Sequence, residues 1–291
     1  MPNQPCPDWA EALLNGFSQI FLQRQPLCGL LCLLAILIGA PALFGGALLG
    51  GVAGLLTAQR RGYPKAERQA GLYSYNGVLL GLLISQHFAW SALLPPLILA
   101  CGGLSAMLTR QWLKHARQPD DLSAYTAPFV GLGWLLIGSA PQPTFALVAP
   151  DVLSVVSAPF TGLAQVMLLD QPLAGVLSAV GLVLANRRAA LWALIGATAG
   201  VLVALLLDEP ASALLGLYSY NPALAALALS QPRRQPWLPL LGILLAIILT
   251  PGFTGLNLPA LTAPFILATW LVRASHRVMQ KTRMDSPFES P

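Results

Sequence analysis

Gly71-Leu72-Tyr73-Ser74-Tyr75-Asn76 returns, letter for letter, as Gly216-Leu217-Tyr218-Ser219-Tyr220-Asn221. A leucine follows each second tyrosine by four residues, at Leu79 and Leu224. Both copies lie inside long apolar stretches, where a patch of tyrosine, serine and asparagine is out of place. Chance recurrence of a six-letter string is negligible, so the chain carries an internal duplication.

Two further motifs repeat in the same order. Gly16-Phe17-Ser18-Gln19 and the following Gln25-Pro26-Leu27-Cys28-Gly29 match Gly162-Leu163-Ala164-Gln165 and Gln171-Pro172-Leu173-Ala174-Gly175. Thr126-Ala127-Pro128-Phe129 matches Thr262-Ala263-Pro264-Phe265, each with a tryptophan five residues on, Trp134 and Trp270. The separations are 146 residues from Gln19 to Gln165, 145 from Tyr75 to Tyr220 and 136 from Thr126 to Thr262.

The composition sets the class. Of 291 residues, 56% are hydrophobic and only 9% charged, and the mean hydropathy is +0.67. A soluble domain carries roughly a quarter charged residues, so this chain has too few charges for a water-facing surface and reads as a polytopic membrane protein. The net charge of +5 then belongs to loops that orient helices rather than to nucleic-acid binding. Cys6, Cys28, Cys32 and Cys101 show no metal-ligand spacing. The start, Met1-Pro2-Asn3-Gln4, lacks a basic leader, and residues 1–11 read as a short solvated cytoplasmic lead.

Apolar runs place spans at about 26–40, 42–57, 71–87, 90–109 and 124–148, and again at 172–186, 189–207, 211–230, 237–251 and 262–274. Several are shorter than the ~20 residues a crossing helix needs, so broken elements are expected. With the N-terminus inside and five crossings per half, the basic clusters at Arg60, Arg61, Lys65 and Arg68, at Arg110, Lys114 and Arg117, at Arg187 and Arg188, at Arg233 and Arg234, and in the tail from Arg273 onward all fall inside. The outer loops hold Asp151, Asp208 and Glu209 and no lysine or arginine. This obeys the positive-inside rule, and an odd number of crossings inverts the second half relative to the first. Arg24 aligning with Asp170 fits that inversion. The expected organisation is a first repeat over 12–149, an extracytoplasmic linker at 150–157, a second, inverted repeat over 158–275 and a basic cytoplasmic tail at 276–291. The fold class is all-α: two inverted five-helix repeats with re-entrant half-helices around a central pore.

Three residue sets could serve a polar solute. Gln19 and Gln165 are neutral amides in semi-polar stretches, facing a cavity or bonding another helix. Tyr75 with Leu79, and Tyr220 with Leu224, are one helical turn apart and share a face, so paired rings could make a slot for a planar solute. An interfacial aromatic belt is the plainer reading. Thr126 and Thr262 precede proline at helix starts, either as plain caps or as hydroxyls at membrane depth. No Asp or Glu lies deep in an apolar run, and His87, His115 and His276 lie in or beside expected loops. No nucleophile, metal set or nucleotide motif appears, so no enzyme, metal or cofactor is expected.

On these motifs the chain resembles the urea transporter family from about residue 12 to 275. The carrying residues are the Gly-x-x-Gln stretches, the Tyr75-Asn76 and Tyr220-Asn221 stretches, and Leu258-Pro259-x-x-Thr262-x-Pro264-Phe265. The resemblance implies a channel-like facilitator of passive urea movement, assembled as a homotrimer in the lipid bilayer with one pore per protomer. It implies slots walled by Tyr75 with Leu79 and Tyr220 with Leu224, with Thr126 and Thr262 in the middle. Gln19 and Gln165, with Ile20 and Val166, would lie beside the path. The chain departs from the family at both slot tyrosines, where phenylalanine is usual, and at Leu22 and Leu168, where a bulkier aromatic is usual. Leu122-Ser123 likewise replaces Leu-Pro. Alternatives are a passive pore for another small amide, ammonia or water, and an ion-coupled secondary transporter. Compact loops point to a bacterial inner membrane with both termini cytoplasmic.

Overall fold

The computed structural model describes residues 8–116, 122–138, 151–231 and 235–285, and all described regular structure is helical. The first half runs α1 (Asp8–Gln19), α2 (Pro26–Gly39), α3 (Pro41–Arg60), α4 (Lys65–Gln69), α5 (Tyr75–His87), α6 (Leu94–His115) and α7 (Ala127–Ile137). The second runs α8 (Val152–Gln165), α9 (Pro172–Ala185), α10 (Arg187–Leu206), α11 (Pro210–Leu214), α12 (Tyr220–Ser230), α13 (Trp237–Gly255) and α14 (Ala263–Asp285). Helix for helix, the second series restates the first.

Several ends differ from the expected ranges for local reasons. α1 begins at Asp8, inside the expected 1–11 lead, with Asp8 and Glu11 in its first turn, where carboxylates suit the helix dipole. α8 begins inside the expected 150–157 linker because Asp151 and Ser154 form a capping box. α14 continues to Asp285, beyond the expected boundary at 275. The expected 211–230 span divides into α11 and α12 at Gly216, whose φ is +72. His276 is not beside a loop: it is buried within α14 and lies against Trp237. Arg117, Arg233, Arg234 and the expected span beyond residue 138 lie outside the described residues.

Proline and capping residues cut the long apolar runs. α2 and α3 are separated by Ala40 alone, with Pro41 opening α3. α9 and α10 are separated by Asn186, whose side chain caps α10 through Ala189 N. Gln25, ahead of Pro26, caps α2 by accepting from Cys28 N at 2.7 Å. At 14 residues, α2 and α9 are each about 21 Å long, short of a full bilayer core. α3 and α10 are long and apolar enough to cross a membrane by length and composition, while several other apolar helices are shorter. Leu37, Leu56, Leu184, Leu202, Leu244 and Ile248 are exposed on five of these helices, an apolar surface that water would not favour.

Packing repeats as well. α3 lies against α5 and α6, and α10 against α12 and α13. Small residues allow close approach: a Cβ on Gly50 would lie 2.0 Å from the Gly77 carbonyl oxygen, and one on Gly200 2.2 Å from that of Tyr218. The halves meet through α2 with α9 and α7 with α14. Near the start of α2, Cys28 lies by Gly181 in the later part of α9, while Gly39 at the end of α2 lies by Ala174 near the start of α9. These two equivalent helices are therefore antiparallel. One large apolar core spans both halves, from Phe17, Leu79 and Phe129 to Leu163, Leu224 and Phe265.

Candidate functional site: two cavities and a threonine pair

The repeated motifs interlock. Gly71 and Gly216 open the hexapeptides with φ of +77 and +72. A Cβ there would lie 2.3 Å from the Asn15 backbone and 2.6 Å from the Gly162 backbone, respectively. In return, a Cβ on Gly16 would meet Ser74 at 2.5 Å, and one on Gly162 would meet Ser219 at 2.3 Å. Glycine is required on both sides of this contact, which seats α5 against α1 and α12 against α8.

Gln19 and Gln165 end α1 and α8. The chain then turns through Leu22 (φ +55) and Leu168 (φ +59), whose amides donate to the Gln19 and Gln165 carbonyls at 2.9 and 3.0 Å. In the first half the turn is tightened by Ser18, whose hydroxyl donates to Gln23 O at 2.9 Å and accepts from Gln25 N at 3.2 Å.

The asparagine of each hexapeptide works on a neighbouring helix. Asn221 donates to Leu261 O at 3.1 Å and accepts from Phe265 N at 3.1 Å. Asn76 donates to Tyr125 O at 3.4 Å and accepts from Phe129 N at 3.2 Å. Each thus caps, from α5 or α12, the first turn of α7 or α14. Thr126 occupies the N-cap position of α7 without a side-chain capping bond. Its hydroxyl instead lies 2.7 Å from that of Thr262. The indoles of Trp134 and Trp270 cross between halves in reciprocal fashion, donating to Pro259 O at 2.8 Å and to Ser123 O at 2.9 Å.

Two cavities adjoin this crossing point. The first, about 480 Å³, is lined by Gln19, Leu22, Tyr75, Thr109, Tyr125 and Arg273, among others. The second, about 570 Å³, includes Gln165, Val166, Leu168, Glu209, Tyr220 and Thr262 in its lining. The structure thus gathers eight of the twelve sequence-selected residues on cavity walls. Ile20, Leu79, Thr126 and Leu224 are buried and line neither cavity.

Each cavity has one charged lining residue among those described. Arg273, counted in the sequence as a tail charge, sits on α14 at the first cavity. It donates to Ser123 Oγ at 3.2 Å and lies 5.5 Å above the Tyr125 ring. Glu209 lines the second cavity and accepts from Tyr218 Oη at 3.2 Å. The first tyrosine of the other copy, Tyr73, donates to Glu67, which also pairs with Arg110 at 3.0 Å. So the first tyrosine in each copy anchors a glutamate in or beside a short helix, and the second lines a cavity, as Tyr218 also does in the second half. Asn76, Asn221 and Arg273 are the additions to the sequence-selected set. The asparagines were visible as amides duplicated in apolar sequence; Arg273 carried no such signal. Among the described residues, no three His, Cys, Asp or Glu side chains converge as a metal ion would require.

A family model described as urea transporter matches residues 10–276. Urea transporter 1 of Ovis aries is 27% identical over 298 residues, covering 91% of this chain and 75% of that protein. Urea transporter 1 of Rattus norvegicus is 27% identical over 301 residues, again covering 91% of this chain and 75% of that protein.

Proposed function

Since the chain belongs to the urea transporter family, and is accordingly an integral membrane transport protein rather than an enzyme, we propose that urea moves passively through each protomer. The path runs from one cavity to the other, past the Thr126–Thr262 pair. The observation that carries this reading is two motif-lined cavities close to one buried hydroxyl pair: Thr262 lines the second, and Tyr125, the neighbour of Thr126, lines the first.

Urea is planar, neutral and rich in donors and acceptors. Stripped of water it loses hydrogen bonds, at a cost of several kcal/mol if they are not replaced. Gln19 and Gln165 at the cavity walls and the threonine hydroxyls between them would supply replacements. Tyr75 with Leu22, and Tyr220 with Leu168, would offer flat apolar walls that admit a thin solute and give a hydrated ion nothing for its lost water. The buried Ile20, Leu79 and Leu224 would close the middle to anything wider. Apart from Arg273 and Glu209 on the cavity walls, the residues assigned to the path are neutral, which favours downhill movement over ion coupling.

Two inverted repeats over about 12–149 and 158–275 are supported by the antiparallel pairing of α2 with α9 and by the reciprocal tryptophan bonds. In this arrangement α7 and α14 start at mid-membrane, with their N-terminal turns capped by Asn76 and Asn221. The loop charges favour an Arg273 cavity on the cytoplasmic side, a Glu209 cavity outside and both termini in the cytoplasm. A homotrimer in a bacterial inner membrane completes the reading.

The test is urea flux in proteoliposomes with and without an imposed proton or sodium gradient. Passive conduction gives urea flux above empty vesicles that is unchanged by either gradient. Gradient-driven accumulation of urea would assign an ion-coupled transporter instead, and conduction of ammonia or water without urea would assign a different pore.

A further inference from the structure

The two slot tyrosines occupy the same place in an identical hexapeptide, yet their hydroxyls have different surroundings. Tyr75 is almost wholly buried, at 4% exposure, and its hydroxyl donates to the Tyr125 carbonyl. That carbonyl also accepts from Asn76 at the long distance of 3.4 Å. In the second half the equivalent carbonyl, Leu261 O, is taken by Asn221 at 3.1 Å. Asn221 is further committed through its oxygen to Phe265 N at 3.1 Å. The adjacent asparagine amide lies at both hydroxyls, Asn76 at Tyr75 and Asn221 at Tyr220, but among the described residues no carbonyl accepts from the Tyr220 hydroxyl. Tyr220 is half-buried and lines the second cavity.

A phenol is a better donor than acceptor, and one held in a largely apolar wall without an acceptor is an unsatisfied donor. We propose that Tyr220, and not Tyr75, reads the polar edge of the solute: its O–H donates to the solute's carbonyl oxygen in the second cavity, whereas Tyr75 serves as a wall whose hydroxyl is spent on the protein. The inference rests on the urea reading and deepens it. One slot selects for a carbonyl acceptor, and the other selects for shape alone.

The test is concentration-dependent flux of urea and thiourea in proteoliposomes, for the wild-type chain, Tyr220→Phe and Tyr75→Phe. Thiourea keeps the flat shape and both amino groups but replaces the carbonyl oxygen with sulfur, a weak acceptor. Tyr220→Phe should raise the urea concentration for half-maximal flux roughly threefold to tenfold, the size of one hydrogen bond, and move that for thiourea less than about twofold on the same scale. Tyr75→Phe, which releases the Tyr125 carbonyl, should change both solutes by a common factor. Equal shifts for urea and thiourea in Tyr220→Phe, or a urea-selective shift in Tyr75→Phe, overturn the assignment while leaving the urea pathway intact. Failure of the wild-type chain to pass either solute overturns the pathway and this inference together.

Discussion

The hydroxyl oxygens of Thr126 and Thr262 lie 2.7 Å apart, although the residues are 136 positions apart in the chain. Equivalent residues of a duplication can touch each other only close to the axis that relates the halves. Both are buried, and in a pair of hydroxyls only one O–H is used between the partners. The other proton is left for a neighbour.

Removing one member should therefore cost more than removing both in sequence would suggest. Thr126→Val or Thr262→Val leaves a buried hydroxyl unpartnered, at about 1–3 kcal/mol of stability. The double valine variant should cost less than the sum of the singles, and all three should lower urea flux. Unfolding in detergent, read alongside stopped-flow flux, checks this; strict additivity would contradict a direct pair.

The asparagine caps should be unequal. In the first half, Tyr75 holds Tyr125 O as well as Asn76 does. In the second, Asn221 alone among the described side chains holds Leu261 O. Asn221→Ala should destabilise by about 2 kcal/mol or more, from two lost bonds at a buried helix start. Asn76→Ala should cost less. Thermal unfolding of the two variants, run side by side, gives the order.

Glycines with similar backbone angles should differ sharply in tolerance. Gly62 has φ of +63 and open space around its absent side chain, whereas Gly71 has φ of +77 and the Asn15 backbone 2.3 Å from where a Cβ would sit. Gly62→Ala should cost about 1–2 kcal/mol, the strain of the left-handed region alone. Gly71→Ala and Gly216→Ala should prevent the motif from seating on α1 and α8, and the yield of monodisperse protein in detergent should collapse.

The start of α8 should respond to acid. Asp151 accepts from Ser154 N at 2.9 Å, and Ser154 Oγ accepts from Asp151 N at 3.1 Å. The Ser154 side-chain and backbone hydrogen bonds hold the Asp151 carboxyl below its ordinary value. A depressed carboxyl pKa stabilises above the unfolded value, about 3.9, and that contribution is lost as pH falls through the lower folded value. Amide exchange of Ser154 and Val155, corrected for intrinsic rates, should show protection from neutral pH to about 5 and fraying below that carboxylate range. Asp151→Ala should fray at every pH.

The outline of this protein is written along its chain. Low charge and long apolar runs announce helices in a membrane, because burial of apolar area depends on composition and period more than on detail. The hexapeptide, the Gly-x-x-Gln stretches and the Thr-x-Pro-Phe stretches announce a duplication by simple identity. Helix breaks at Pro26, Pro41 and Pro172 are local as well, since proline acts on its own backbone and on the residue before it. Of the eight selected residues on cavity walls, Gln19, Tyr75, Gln165, Tyr220 and Thr262 could be found because a polar side chain in apolar sequence is a local anomaly, whereas Leu22, Val166 and Leu168 were named only by the family resemblance.

Other features depend on what lies opposite. Asn76 and Asn221 cap helices that begin 51 and 42 residues downstream, at Ala127 and Ala263, and no local pattern names those partners. Arg273 reads as one more tail charge until α14 carries it to the first cavity. The identical Gly-Leu-Tyr-Ser-Tyr-Asn copies are the sharpest case. By itself the sequence determined that there are two equal tyrosines at two equal places. Only the tertiary structure decided that the Tyr75 hydroxyl is spent on Tyr125 O while no carbonyl among the described residues accepts from that of Tyr220, because a hydrogen bond is settled by the group across the gap.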